Sequence, residues 1–187
     1  MTGIILAGGK SRRIGKDKAF LKIDNKPLIE LVVEKLKAVF NKIIIVTNDP
    51  VKFQFLGIKV VKDVVFNKGP LGGIYTGLLI SGSKYNFICA CDMPFLNSHL
   101  LKFMSSKVEG NDVIVPVVGN FVEPLHSIYS KNCLLPIKRH LENGKLRVRD
   151  FFPEVKCKYI PENLIRKYDP CLRSFFNLNT PKMLELR

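Results

Sequence analysis

The sequence predicts an α/β fold, a sheet covered by helices on both faces. Short β-rich runs alternate with helical stretches along the whole chain, the pattern of layered α/β proteins. One run, Lys42–Thr47, is rich in Ile and Val without a break, as in a strand buried on both faces. Gly8, Asp63 and Asp92 each follow a strand-like run, and ligands in such sheets bind outside the carboxyl ends of the strands.

The elements follow in order. Ile4–Leu6 reads as a strand. Lys26–Phe40 reads as a helix opened by Pro27, with Leu28, Leu31, Val32, Lys35 and Leu36 at helical spacing. Lys42–Thr47 and Lys59–Val61 are the next strands. Leu71–Ser81 follows a Gly-Pro turn and reads as helix, and Phe87–Cys91 is a strand that ends at Asp92. Ser98–Lys107 is helical, with Ser98 in the N-cap position. Asp112–Val117 and Phe121–Ser130 are strand-like, the second interrupted by Pro124. Asn132–Glu142 suits a helix ending at Gly144. Val155–Ile160 is a late strand, and Thr180–Arg187 a terminal helix with Pro181 at its first position.

A chain of 187 residues fits one domain with a full core. Hydrophobic residues make up 47% and charged residues 25%, as in a soluble globular protein. No apolar run has the length of a membrane span, and the N-terminus lacks a signal-peptide layout. Cys89, Cys91, Cys133, Cys157 and Cys171 are odd in number and not spaced for zinc, so a reducing, cytoplasmic compartment is expected. Cys89 and Cys91 share one strand face, where cysteine acts as a small hydrophobe. The net charge of +14 attracts polyanions, but it is spread along the chain with no basic tail or nucleic-acid motif. A phosphate-rich small substrate accounts for part of it, and a solvated lysine surface for the rest.

The first strand leads into Leu6-Ala7-Gly8-Gly9-Lys10-Ser11-Arg12-Arg13-Ile14-Gly15, followed by Asp17-Lys18. Glycines let backbone come close to a ligand, and consecutive N–H groups can cradle phosphate oxygens. Lys10, Arg12, Arg13 and Lys18 add charge complementary to a polyphosphate. The loop is not a Walker A, because the first glycine of that motif would fall on Ile4, and no G-x-G-x-x-G follows the strand. A nucleoside triphosphate is therefore the expected ligand of this strand–loop junction.

Asp92 ends the run Phe87-Ile88-Cys89-Ala90-Cys91-Asp92-Met93-Pro94. Mg²⁺ prefers one or two carboxylates plus phosphate oxygens, which a carboxylate beside a triphosphate supplies. Taken alone, Asp92 could equally cap the turn before Pro94. Asp63 precedes a second glycine segment, Gly69-Pro70-Leu71-Gly72-Gly73; by themselves these read as a surface turn and close helix packing. Lys18 could neutralise charge on the α-phosphate and the leaving pyrophosphate, with Arg12 and Arg13 on the outer phosphates. His126, in Glu123-Pro124-Leu125-His126-Ser127-Ile128-Tyr129, reads as a buried, hydrogen-bonded imidazole.

The L-A-G-G-x-S-x-R-x-G…D-K pattern resembles the nucleotidyltransferases, and in detail the molybdenum cofactor guanylyltransferase (MobA) family. The similarity is strongest at Leu6–Lys18, Asp63–Gly73, Phe87–Pro94 and Asn177–Pro181. It implies a three-layer α/β/α Rossmann-like nucleotidyltransferase domain with a mostly parallel sheet, spanning residues 1–187. It also implies that Leu6, Ala7, Gly8, Lys18, Asp63 and Asp92 contact GTP, that Asp92 holds Mg²⁺, and that Lys18, Arg13 and Asp92 form the catalytic set. Asn177-Leu178-Asn179-Thr180-Pro181 would lie toward the pterin. Some members carry Asn-x-Asn after the second strand; here the segment is Val46-Thr47-Asn48, so only Asn48 matches and no nucleotide contact passes to Val46.

The implied reaction is transfer of GMP from GTP to the phosphate of molybdenum-molybdopterin, with release of pyrophosphate. A monomer is expected, in transient contact with proteins that deliver the molybdenum cofactor or accept it, with no nucleic acid or membrane partner. Related cytidylyltransferases tend to show Leu-Ala-Ala-Gly where this chain has Leu-Ala-Gly-Gly, so Gly8 leaves room for a purine. The alternatives are a CMP-pterin or nucleotide-sugar enzyme, and a basic nucleic-acid-binding module.

Overall fold

Strand β1 (Thr2–Leu6) is buried along its whole length between two parallel neighbours, β4 (Ile43–Thr47) and β6 (Tyr85–Ala90). The computed structural model describes residues 1–8, 18–65 and 67–178. Beyond β4 lies β5 (Lys59–Lys62), also parallel. On the other side, β9 (His126–Ser130) joins β6 antiparallel, with Cys89 opposite His126. Then come β7 (Val113–Val118), antiparallel to β9, and β10 (Cys157–Ile160), parallel to β7. The order is β10-β7-β9-β6-β1-β4-β5, with the short β8 (Phe121–Val122) folded back on the end of β7. The sheet is therefore mostly parallel, as the resemblance to the nucleotidyltransferases implies.

The helices divide between two faces. On one, α1 (Leu28–Lys37) and α3 (Ser98–Ser105) bury Ile29, Val32, Leu36, Leu100 and Met104 against Ile5, Ile45 and Phe87. On the other, α2 (Gly69–Ile80) and α4 (Leu134–Glu142) bury Leu71, Ile74, Leu78 and Ile137 against Ile4, Val46 and Ile88. Alternate residues of β1 thus serve opposite cores, as the two-residue strand period requires. A short α5 (Glu162–Ile165) adds Ile165 to the first face. No described helix is long and apolar enough to cross a membrane.

Helix α2 packs tightly on the sheet through its glycines. A Cβ on Gly77 would stand 2.8 Å from Ile4 Cγ2, and one on Gly73 3.2 Å from Leu6 Cδ2. Close helix packing is thus one role of this glycine segment.

Several boundaries differ from the sequence reading. The expected helix from Lys26 begins only at Leu28, because Lys22–Ile23 and Lys26–Pro27 form a hairpin, β2 and β3, turning at Asp24 and Asn25 with φ of 47° and 65°. On α1 the buried stripe includes Ile29 and Val33, whereas Lys35 is exposed. Asn97, not Ser98, caps α3: its side chain accepts the N–H groups of His99 (2.9 Å) and Leu100 (3.2 Å). Phe121–Ser130 is two strands with a turn at Pro124, where Tyr129 Oη donates to the Pro124 carbonyl at 2.8 Å. The expected Asn132 start of α4 is a 3-10 turn over Lys131–Cys133, and Gly144 closes the helix end with φ 70°. The 3-10 segments Pro50–Leu56 and Val148–Glu154 carry no clear helical period. The expected terminal helix Thr180–Arg187 lies outside the described residues.

Candidate active site

Four parallel strands, β6, β1, β4 and β5, end side by side, and the candidate residues leave from these ends. Backbone hydrogen bonds extend the ladder one step past β6, β1 and β5. Cys91 N–H donates to Leu6 O at 3.2 Å, Ala7 N–H to Val46 O at 2.9 Å and Asp63 N–H to Thr47 O at 2.9 Å. The sheet itself therefore sets the spacing of Asp92, Gly8 and Asp63.

Beside these ends lies a cleft of ≈ 390 Å³, within the range of small-molecule sites. It is lined by Leu6, Ala7 and Gly8 after β1, by Val46, Thr47 and Asn48 at the end of β4, and by Asp63 with Gly69, Pro70 and Gly73. The structure thus brings together four of the expected nucleotide contacts, Leu6, Ala7, Gly8 and Asp63. Asn48 lines the cleft too, as does Val46, to which no contact was assigned.

Asp63 is held by neighbours that sequence alone does not indicate. Its Oδ1 accepts from Thr76 Oγ1 at 2.6 Å and from Val65 N–H at 3.0 Å. Thr76, fully buried on α2, also accepts Val64 N–H at 3.2 Å. Pairing over 13 positions leaves no local signal. Asn67, Lys68 and Lys52 also line the cleft; Asn67 sits in the left-handed region at φ 57°, which an asparagine tolerates in a turn.

Lys18 and Asp92 meet across 74 residues: Lys18 Nζ lies 3.5 Å from Asp92 Oδ2, with side-chain exposures of 27% and 14%. Asp92 also accepts, through its backbone carbonyl, the N–H of Leu178 at 3.0 Å, which brings Asn177-Leu178 to the same strand end. Arg13, Arg12 and Lys10 lie outside the described residues, as do Asn179, Thr180 and Pro181.

Among the described residues no group of three or more His, Cys, Asp or Glu side chains gathers to hold a metal. Asp92 is a partly shielded carboxylate at the strand end, one acidic side chain that belongs to no such group among the described residues. That donor set suits a hard cation that takes most of its other ligands from phosphate and water.

His126 is buried as expected, but neither ring nitrogen has a hydrogen-bond partner among the described residues. It packs edge-on to Phe87, with centroids 5.1 Å apart, and against Phe175 at 4.7 Å. Burial disfavours the charged ring and lowers its pKa to about 3, although nearby Asp169 opposes the shift. It is a neutral core histidine. Cys89, buried in the same core, has its thiol pKa raised well above the usual value by burial, and Cys91 packs against the same cluster.

Comparison with known proteins gives a consistent answer. The family model for the MobA-like NTP transferase domain matches residues 3–155. A probable molybdenum cofactor guanylyltransferase from Natranaerobius thermophilus is 40% identical, over 99% of this chain and 93% of the relative. The molybdenum cofactor guanylyltransferase of Desulfosudis oleivorans is 38% identical over 99% and 93%. Among solved structures, molybdopterin-guanine dinucleotide biosynthesis protein A from Archaeoglobus fulgidus superposes with a TM-score of 0.86 at 29% identity, over 100% of this chain and 96% of that one. The 4-diphosphocytidyl-2C-methyl-D-erythritol synthase of Anaerococcus prevotii shares the fold at 14% identity and a TM-score of 0.69, over 99% and 92%.

Proposed function

We propose, from the premise that this chain belongs to the MobA-like NTP transferase family, that it transfers GMP from GTP to the phosphate of molybdenum-molybdopterin. The products are the guanine dinucleotide form of the cofactor and pyrophosphate. The observation that carries the reading is the meeting of Lys18 and Asp92 at 3.5 Å at the end of β6, beside a cleft walled by Leu6–Gly8 and Asp63. A cation, a carboxylate and a nucleotide-sized cleft are what the joining of two anions requires, and their presence supports the reading.

The chemistry asks little of proton transfer. An oxygen of the acceptor phosphate attacks the α-phosphorus of GTP; a P–O bond forms, the bond to the bridging oxygen breaks, and pyrophosphate leaves with the electron pair. The acceptor is already an anion, so no strong general base is needed. The protein's task is alignment and charge neutralisation. Lys18 supplies positive charge to the α-phosphate and the leaving group. Arg13 supplies more on the outer phosphates. Asp92 would hold Mg²⁺, and the chemistry a bound ion would supply there is neutralisation of charge on the phosphate oxygens. Leu6, Ala7 and Gly8 bring backbone against the nucleotide, and Asp63 contacts it from the same cleft. Asn177 lies on the acceptor side, tethered through the Leu178–Asp92 bond.

The 187 residues work as one nucleotidyltransferase domain, cytoplasmic and monomeric, with GTP and molybdenum-molybdopterin as substrates. Calorimetric titration with GTP, CTP and ATP, each with and without Mg²⁺, tests the nucleotide half. Tight, Mg²⁺-dependent binding of GTP alone is expected. Preference for CTP moves the assignment to cytidylyl transfer, and binding of none of the three rejects it.

A further inference from the structure

Asp63 is a carboxylate on the cleft wall of a chain with 30 Lys and Arg, yet no cation pairs with it among the described residues. Its partners are one hydroxyl and one backbone N–H. Thr76 Oγ1 reaches Oδ1 at 2.6 Å while itself accepting Val64 N–H at 3.2 Å. The hydroxyl proton therefore has one place to go, and it goes to Oδ1. Val65 N–H takes a second site on the same oxygen at 3.0 Å. The backbone of Asp63 is fixed in turn by its bond to Thr47 O at 2.9 Å. With Oδ1 satisfied twice, the carboxylate plane is set and Oδ2 keeps its accepting capacity. The adjacent glycine preserves the space there: a Cβ on Gly72 would lie 3.6 Å from Oδ2 and 3.0 Å from Val65 O.

We infer that Thr76 is a positioning residue for base selection, holding Asp63 so that Oδ2 accepts the exocyclic amino group of guanine. This rests on the guanylyltransferase reading above. A fixed carboxylate oxygen favours a base edge that presents N–H donors. Guanine offers a ring N–H and an amino group on neighbouring positions. Hypoxanthine keeps the ring N–H and lacks the amino group. Cytosine and adenine present a ring nitrogen acceptor beside their amino group, which a carboxylate repels. Thr76 never touches the nucleotide; it acts through Asp63.

The experiment compares GTP with ITP, which differ only in that amino group, by calorimetric binding to the full chain with Mg²⁺. The parent protein is expected to bind GTP about 10- to 100-fold more tightly than ITP, the usual worth of a hydrogen bond to a charged acceptor. Thr76→Val keeps the side-chain shape and removes the hydroxyl; the GTP:ITP ratio is expected to shrink about tenfold. Thr76→Ser keeps the hydroxyl and restores the ratio, and thermal unfolding shows which variants are folded. An equal loss of GTP and ITP affinity in Thr76→Val, or an unchanged ratio, overturns the inference. So does a parent protein that binds GTP and ITP alike. A parent that binds CTP or no triphosphate at all rejects the guanylyltransferase reading itself, a separate and visible outcome.

Discussion

Replacing Asp92 with Asn separates what the carboxylate does for the fold from what it does for the reaction. The substitution keeps shape and removes the charge. In the fold, that charge meets Lys18 at 3.5 Å with both side chains part-exposed. Ion pairs of this kind are worth roughly 0–1 kcal/mol once solvent screening and side-chain entropy are counted. The bond that ties Leu178 to this strand end uses the Asp92 backbone carbonyl, so Asn leaves it in place. Unfolding free energy should therefore fall by no more than about 1 kcal/mol. Turnover is a different matter, because a lost electrostatic contact to the reacting phosphates costs on the order of 10²–10³ in kcat, about 3–4 kcal/mol. The assay pairs denaturant unfolding with pyrophosphate release at several Mg²⁺ concentrations. Asp92→Asn with full turnover and an unchanged Mg²⁺ dependence refutes the role. Destabilisation of several kcal/mol would instead make Asp92 a structural residue.

Other substitutions probe the rest of the account. Lys18→Met should lower kcat by at least about 10²-fold while leaving thermal stability within about 1 kcal/mol of the parent, read by pyrophosphate release and denaturant unfolding. Gly77→Ala places a Cβ 2.8 Å from Ile4 Cγ2 in a filled core. Overpacking of about 1–3 kcal/mol outweighs a helix-propensity gain of about 1 kcal/mol, so chemical denaturation should show a net loss. Among the described residues Gly8→Ala meets only Asn48 Nδ2, at 3.8 Å, so the fold should be unmoved and GTP should lose ground to CTP in competition binding. For His126, whose folded pKa of about 3 lies below its ordinary value of 6.5, the unfolded chain binds the extra proton between those pH values. That contribution to stability is complete above about pH 6.5 and falls by roughly 1.4 kcal/mol per pH unit as pH drops toward 3. His126→Leu should flatten that slope in denaturant titrations from pH 7 to pH 4.

Strand positions were legible because burial dictates composition. The Ile/Val run of β4 is buried at every residue, and the strand ends put Gly8, Asp63 and Asp92 on one edge. Charge and motif single out Lys18 and Asp92 one by one, but their meeting across 74 residues is visible only in the folded chain. Local competition hid other features. Ser98 and Asn97 are both good caps, and only three-dimensional placement selects Asn97, whose amide also donates to Tyr168 O at 2.9 Å. Pro27 fits a helix start, but the Asp24–Asn25 turn pulls it into a hairpin first. Thr76 was invisible because a threonine inside an apolar helix reads as core until the carboxylate it serves is seen.

The most direct test is a complete reaction with GTP, Mg²⁺ and molybdenum-molybdopterin, followed by mass spectrometry of the cofactor and assay of pyrophosphate. Guanine dinucleotide cofactor formed with one pyrophosphate per molecule, from GTP and not from CTP, is the predicted result. Cytidylyl product from CTP, or GTP bound without any pyrophosphate released, would contradict guanylyl transfer by this chain.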